Sequence, residues 1–202
     1  THGPALERNA HPHVDCGRDL AVVHNGIIEN HDELRAILEA RGHVFRSDTD
    51  TEVVSHLIES HFEGDLVAAV RSSLPELRGS FALGVIHRGA AHEQIVVARS
   101  GSPLTIGIGD QEAFIASDVA PMLEYTRRVV FLKDGDLAVV RRDGITIFDQ
   151  HAKESVRQVT EIDWSAESAD RGGYDHYMRK EIQEQPEAIQ KTLSGRVIED
   201  PE

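Results

Sequence analysis

Cysteine is nearly missing from this chain: 202 residues hold a single one, Cys16, so no disulfide forms within it. Cations are scarce too, with 21 Lys and Arg against 35 Asp and Glu and a formal net charge of -14. No basic stripe is present to displace counterions, which excludes nucleic-acid phosphates as the main partner and leaves a small molecule or another protein. No apolar run approaches the length of a membrane span, and the N-terminus lacks the charged-then-apolar order of a signal peptide. A soluble, cytoplasmic protein with no membrane partner is expected. Internal repeats and low-complexity tracts are absent as well. Nor does the chain open on Met; it begins at Thr1, which reads as processing or truncation. What is present is 40% hydrophobic residues in an ordered pattern, enough for one sizeable core and a short appendage.

That pattern has three textures. Leu20 to Val23 read as a short buried strand ending in His24-Asn25-Gly26, whose plainest meaning is a turn before a helix. Helical period follows, with Leu34, Ile37 and Leu38 on one face, Asn30 as a cap, Glu33 at the third position to complete a box, and Gly42 as a left-handed stop. A second helix is expected after "SDTD", where Thr49 and Glu52 have capping-box spacing and Val53, Val54, Leu57 and Ile58 form the apolar stripe. "DLVAAVRSSLPELRG" is a third candidate. From Ser80 onward the pattern is that of strands, with Asp134-Gly135 and Asp143-Gly144 between apolar runs as hairpin signals. Helices early and hairpins late predict an α+β fold with much antiparallel sheet. Near residue 160 the chain turns polar and acidic, then resumes helical period with a break at Pro186. Residues 1–160 are read as one domain, and 161–202 as a linker with the first elements of another.

Several groups of residues offer chemistry. His11, His13 and Asp15, with His24 near in sequence, have the donors for a transition metal but lack a third ligand at motif spacing. Asp48, Asp50, Glu52 and Glu59 resemble a calcium loop, but Val53 stands where that loop needs glycine. Gly107 and Gly109 precede no helix, which argues against a dinucleotide loop. No metal and no cofactor is expected. On spacing alone Asp50 is either a helix N-terminal acid or a ligand-binding carboxylate, and Asn25-Gly26 either a turn or a pair of substrate-facing donors.

Resemblance weighs those alternatives. "THG" at Thr1 to Gly3, "ERNAHPH" at Glu7 to His13, "VVHNGIIEN" at Val22 to Asn30, "SDTDTEV" at Ser47 to Val53 and "FIASD" at Phe114 to Asp118 together resemble the N-terminal glutaminase domain of the glucosamine-6-phosphate synthases. These are the isomerising glutamine:fructose-6-phosphate aminotransferases. The tail "HYMRKEIQEQPEAIQKTLSGRV" is similar to their connection into the sugar-phosphate isomerase domain. It separates them from the other class II amidotransferases, which remain an alternative together with a non-catalytic glutamine-binding or regulatory module. The resemblance implies an N-terminal-nucleophile hydrolase fold, a four-layer αββα sandwich with two antiparallel sheets, here incomplete at the N-terminus. It also implies glutamine hydrolysis, with the ammonia passed to fructose 6-phosphate, and a homodimer in the full-length enzyme. By the same resemblance, Asn25 and Gly26 form the oxyanion hole, Asp50 and the Gly26 carbonyl hold the α-ammonium of glutamine, Thr1 and His2 hold its α-carboxylate, and His13 lies in a loop region closing over the site.

One departure stands out. The resembled family attacks with an N-terminal Cys, whereas this chain begins inside the "THG" motif. Cys16 has no free amine beside it and is read as a structural or semi-exposed thiol. Thr1 has an amine of its own but matches a non-nucleophilic position. The chain as printed is therefore expected to hydrolyse no glutamine.

Overall fold

Alternation of apolar and small residues along "LAVVHNGII" builds one long strand, because every second side chain has a core to enter. In the computed structural model, which describes residues 3–90, 93–163 and 173–193, this strand is β2, Leu20–Ile28. It follows a short β1, His13–Val14, and pairs antiparallel along its whole length with β3, Gly79–His87. The expected turn at His24-Asn25-Gly26 is thus interior strand: Asn25 lies opposite Ala82 and Gly26 opposite Phe81. Local sequence suggested a break, and nine cross-strand pairs override it.

Three helices follow β2: α1 (His31–Ala40), α2 (Thr51–His61) and α3 (Leu66–Ser73). Gly42 ends the first as expected, at φ +95, with the His43 N–H returning to the Leu38 carbonyl. Asn30 does not cap it with its side chain. Its amide donates instead to the Glu76 carbonyl at 2.9 Å, while its oxygen accepts from the Arg78 N–H at 2.9 Å, and Glu33 pairs with Arg78. These contacts bind the start of α1 to the segment entering β3, a pairing 48 residues apart that spacing cannot reveal. Asp65 caps α3, accepting from the N–H groups of Val67 and Ala68.

The remaining strands are β4 (Ile95–Ser100), β5 (Thr105–Ile108), β6 (Ala113–Ala116), β7 (Arg128–Phe131), β8 (Leu137–Arg141), β9 (Gly144–Phe148) and β10 (Val159–Glu161). They complete a six-stranded sheet ordered β1-β2-β3-β4-β8-β9 and a four-stranded sheet ordered β10-β7-β5-β6, antiparallel throughout. On β4 and β8 apolar residues run consecutively because both faces are covered. Val96, Ala98, Leu137 and Val139 pack toward the helices, while Val97, Ala138 and Val140 pack against Leu104, Ile106, Val130 and Leu132 of the smaller sheet's side. The outer face of that sheet is covered more thinly, by Val119, Met122 and Leu123 around the 3-10 turn Ala120–Met122.

Of the two expected hairpins, Asp143-Gly144 forms one, with Gly144 opposite Arg141. Asp134-Gly135 does not. It is a corner between sheets, since β7 pairs with β5 and β10, while β8 pairs with β4 and β9. The corner is anchored on β4: Gly135 N–H donates to the Arg99 carbonyl at 2.8 Å, and Asp134 accepts from Gly101 N–H at 3.0 Å. Beneath it Arg157 forks onto the buried Asp136.

The chain divides into two compact units, Thr1–Ile162 and Asp163–Glu202. In the second, α4 (Tyr177–Leu193) runs through Pro186 without the expected break. An interior proline removes one ladder bond at a cost of about 3 kcal/mol, and strong helix formers on both sides carry the helix past it. Among the described residues no helix is long and apolar enough to cross a membrane.

Candidate active site

Two stretches distant in sequence, the end of β2 and the start of α2, enclose a cavity of about 150 Å³. Asn25, Gly26 and Asp50 line it together with Asn9, His11, His24, Thr49 and Thr51. A larger cleft of about 420 Å³ lies along the β8–β9 hairpin, lined by Arg141, Arg142, Glu112 and others, and contains none of the motif residues.

Gly26 is held at φ +130, and a Cβ there would sit 2.0 Å from the Ser80 carbonyl oxygen. Glycine is required first by the close approach of β3. Backbone groups in an antiparallel ladder alternate in direction. The Leu20 carbonyl turns toward Asp15, at the end of β1, and the Ile28 N–H donates to Asp50 Oδ2 at 2.8 Å, so both point away from β3. By the same alternation the Gly26 N–H lies on that open edge, beyond the end of β1, on the side of Asp50.

Asp50 is 3% exposed and occupies the N-cap position of α2, yet its side chain makes no capping bond. One oxygen accepts from Ile28 and the other lies 3.5 Å from the Thr51 hydroxyl, so Asp50 stands at the helix N-terminus with its side chain turned to β2 rather than to the N–H groups of α2. The loop before it is fixed by Glu52, which accepts from Arg46 N–H (2.8 Å), Ser47 N–H (2.7 Å) and the Ser47 hydroxyl (2.6 Å). Thr49 Oγ1 accepts weakly from the Glu52 N–H at 3.4 Å, so the expected box closes around Ser47 rather than Thr49. Arg35 donates to the carbonyls of Ser47 and Thr49. Burial disfavours the Glu52 charge. The nearby His56 and the bonds from Ser47 and the Arg46 and Ser47 backbone outweigh it, and its pKa falls to about 2. His56 Nε2 lies 3.7 Å from the carboxylate.

The imidazoles around the cavity are neutral at pH 7. Burial lowers the pKa of His24, His11 and His13, and the Asp50 charge opposes this only in part. His24 is buried with Nδ1 2.9 Å from the Thr51 hydroxyl, and among the described residues its Nε2 meets no hydrogen-bond partner within normal distance. Among the described lining residues Asp50 therefore supplies a carboxylate with no cation beside it, a site that suits an ammonium group. Asn9, Thr51 and the Ser47–Glu52 brace went unassigned in the sequence reading, and His24 was weighed there only as a metal donor. They stand inside the quoted motifs, but linear spacing does not say which way they face.

The other candidates separate. His13 is buried and directs Nε2 to Thr49 Oγ1 at 3.2 Å, while Asp15 accepts from the N–H groups of Asp19 and Leu20. Those donors do not converge on a metal. Glu52 turns to Ser47 while Glu59 turns to His43 and His56, so no calcium loop forms. β5, which carries Gly107, leads into β6 rather than a helix. Thr1 and His2 lie outside the described residues.

Comparison with known proteins finds close relatives of the whole chain. The chain is 50% identical over 200 residues to the glutamine–fructose-6-phosphate aminotransferase (isomerizing) of Thermotoga maritima, covering 99% of this chain and 33% of the relative. It is also 50% identical over 200 residues to the enzyme of the same name from Thermus thermophilus, with the same coverage. It thus spans about one third of the length of these curated relatives. In fold it is similar to the glutamine phosphoribosylpyrophosphate amidotransferase of B. subtilis, with a TM-score of 0.62 at 24% identity, over 72% of this chain and 33% of that one. The two packed antiparallel sheets, with α1–α3 on the outer face of the larger one, are consistent with the N-terminal-nucleophile hydrolase architecture, and among the described residues the outer face of the smaller sheet carries a 3-10 turn in place of the expected second helical layer. The profile of the family described as "Glutamine amidotransferase domain" matches residues 4–124, and the chain belongs to that family.

Proposed function

We propose that this chain is the glutaminase part of an isomerising glutamine:fructose-6-phosphate aminotransferase. It would release ammonia from glutamine for transfer to fructose 6-phosphate, leaving glutamate and glucosamine 6-phosphate. The observation that carries the reading is the meeting of Asn25, Gly26 and Asp50 in one small cavity. Attack on an amide carbonyl builds negative charge on oxygen. The Asn25 amide and the Gly26 N–H would be fixed donors for it, while Asp50 takes the α-ammonium and Thr1 and His2 the α-carboxylate. In this reading the attacking thiol is an N-terminal Cys, as in the resembled family. Cys16 faces His43 and His56 and is not that nucleophile. Fructose 6-phosphate is favoured over other acceptors because 50% identity to the curated aminotransferases far exceeds the 24% shared with the phosphoribosylpyrophosphate enzyme. The segment from 161 onward is read as the connection toward an isomerase domain, and the full-length protein as a cytoplasmic homodimer.

The test uses full-length protein, glutamine and fructose 6-phosphate, following glutamate and glucosamine 6-phosphate together. Asn25→Ala is expected to lower kcat for glutamine hydrolysis by roughly 10²–10³ with little change in KM, since the donor acts on the transition state. A loss of tenfold or less removes Asn25 from that role, and glutamine turnover coupled to a different acceptor removes fructose 6-phosphate.

A further inference from the structure

Away from the Asn25 cavity, three separate segments bring four metal-type donors together. Cys16 lies in the turn between β1 and β2, His43 just past α1, and His56 and Glu59 stand three residues apart on α2. We propose that Cys16, His43, His56 and Glu59 bind one zinc-like transition-metal ion that crosslinks these segments.

Their donor atoms all lie within 4.8 Å of one another. Cys16 Sγ is 3.7 Å from His43 Nδ1 and 3.5 Å from His56 Nδ1, and Glu59 Oε2 is 2.8 Å from the first nitrogen and 3.0 Å from the second. Metal–sulfur bonds of about 2.3 Å and metal–nitrogen or –oxygen bonds of about 2.0–2.1 Å, set tetrahedrally, give edges of about 3.5 Å between S and N and about 3.3 Å between N and O. The sulfur edges match. The nitrogen–oxygen edges are a few tenths of an ångström short, the spacing of a shared proton where an ion would spread them. One thiolate, one carboxylate and two imidazoles balance a divalent charge, and sulfur with imidazole selects zinc, cobalt or nickel over calcium or magnesium.

A second observation concerns the far side of His56. Its Nε2 is buried and makes no hydrogen bond among the described residues, and Glu52 Oε1 stands 3.7 Å from it. Ligation through Nδ1 puts the ring proton on Nε2, facing that carboxylate, the outer partner a metal-bound histidine normally has. The side chains of His43 and Glu59 are 13% and 25% exposed, which leaves an entry path. Glu59 Oε2 also accepts from Cys16 N–H at 3.3 Å, so its orientation is set before an ion arrives. The ion's role is structural: it would fasten α2, whose first turn holds Asp50, to the edge of the larger sheet.

The chain, purified without chelator, is expected to carry one equivalent of zinc by elemental mass spectrometry. After removal of the zinc, one equivalent of cobalt(II) should give tetrahedral ligand-field bands and a thiolate charge-transfer band. Chelation should lower Tm and zinc should restore it. Cys16→Ser should abolish the charge-transfer band. Glu52→Gln should keep the band but weaken affinity about 10–100-fold, as loss of an outer partner does. If Cys16→Ser does not fold, the wild-type cobalt spectrum decides. Substoichiometric metal, an octahedral cobalt spectrum without a thiolate band, or a Tm indifferent to chelator and zinc overturns the proposal.

Discussion

Asp50 concentrates the chemistry of the cavity in one carboxylate. It is buried, its Oδ2 is held by the Ile28 N–H, and the imidazoles near it are neutral. Asp50→Asn in full-length protein is expected to raise KM for glutamine by about 10–150-fold, equivalent to about 1.5–3 kcal/mol for a hydrogen bond to a charged group. A substrate analogue without the α-amine should be nearly indifferent to the change. Equal losses for both substrates would make Asp50 a fold-supporting acid instead. Gly26 carries a different constraint, since the approach of Ser80 and a φ of +130 leave no room for a methyl group. Gly26→Ala is expected to destabilise the chain by about 1–3 kcal/mol through strain at this position, read as a lowered urea midpoint. An unchanged midpoint would show that β3 relaxes away at little cost.

At the scale of elements, α2 is the organising piece. Its first turn presents Asp50, its second turn places His56, and Glu52 between them braces the preceding loop through Ser47 and Arg46. Glu52 falls from an ordinary value near 4.5 to about 2 in the folded chain. A carboxylate whose pKa is depressed by folding contributes stability that is present in full above the unfolded value and is lost as pH drops toward the folded one. The shift corresponds to something on the order of 3 kcal/mol. Stability followed by denaturant titration should therefore decline between pH 4.5 and 2, and Glu52→Gln should be less stable at pH 7 and flatter across that window. Parallel curves for the two proteins would refute this account of the brace. The end of α1 at Gly42 and the hairpin at Asp143-Gly144 show what local chemistry can announce, because a left-handed residue or a tight turn needs only its neighbours. Asp134-Gly135 has the same chemistry but joins two sheets, since the strand's partners lie elsewhere in the chain.

For the whole molecule, the two sheets do not cover one another completely. Val23 and Ile27 on β2 and Ile86 on β3 are 48%, 55% and 50% exposed. The strand register puts all three on one face, opposite the face that packs on the helices. The 202-residue chain by itself is expected to bind an apolar fluorescent dye there. Ile86→Thr, which keeps β-branching, should reduce dye binding with little change in Tm, as surface substitutions change stability by about 0.5 kcal/mol or less. Undiminished dye binding would move the exposed apolar surface elsewhere.

Composition and period alone determined the α+β class, the acidic surface and the order of helices before strands. The motifs around Asn25, Gly26 and Asp50 marked the cavity residues through their likeness to the glutaminases. These properties are local, carried by neighbours a few positions apart. Tertiary structure decided the rest. It drew β2 through Asn25 and Gly26 as paired strand and turned Asn30 from a helix cap to a tie on Glu76 and Arg78. It also gathered Cys16, His43, His56 and Glu59, where sequence reading gave a lone thiol and expected no metal. Cys16 and Glu59 are 43 residues apart. Their meeting depends on how α2 packs beside β1 and β2, and that packing is set by the shared apolar core and not by any spacing between the ligands.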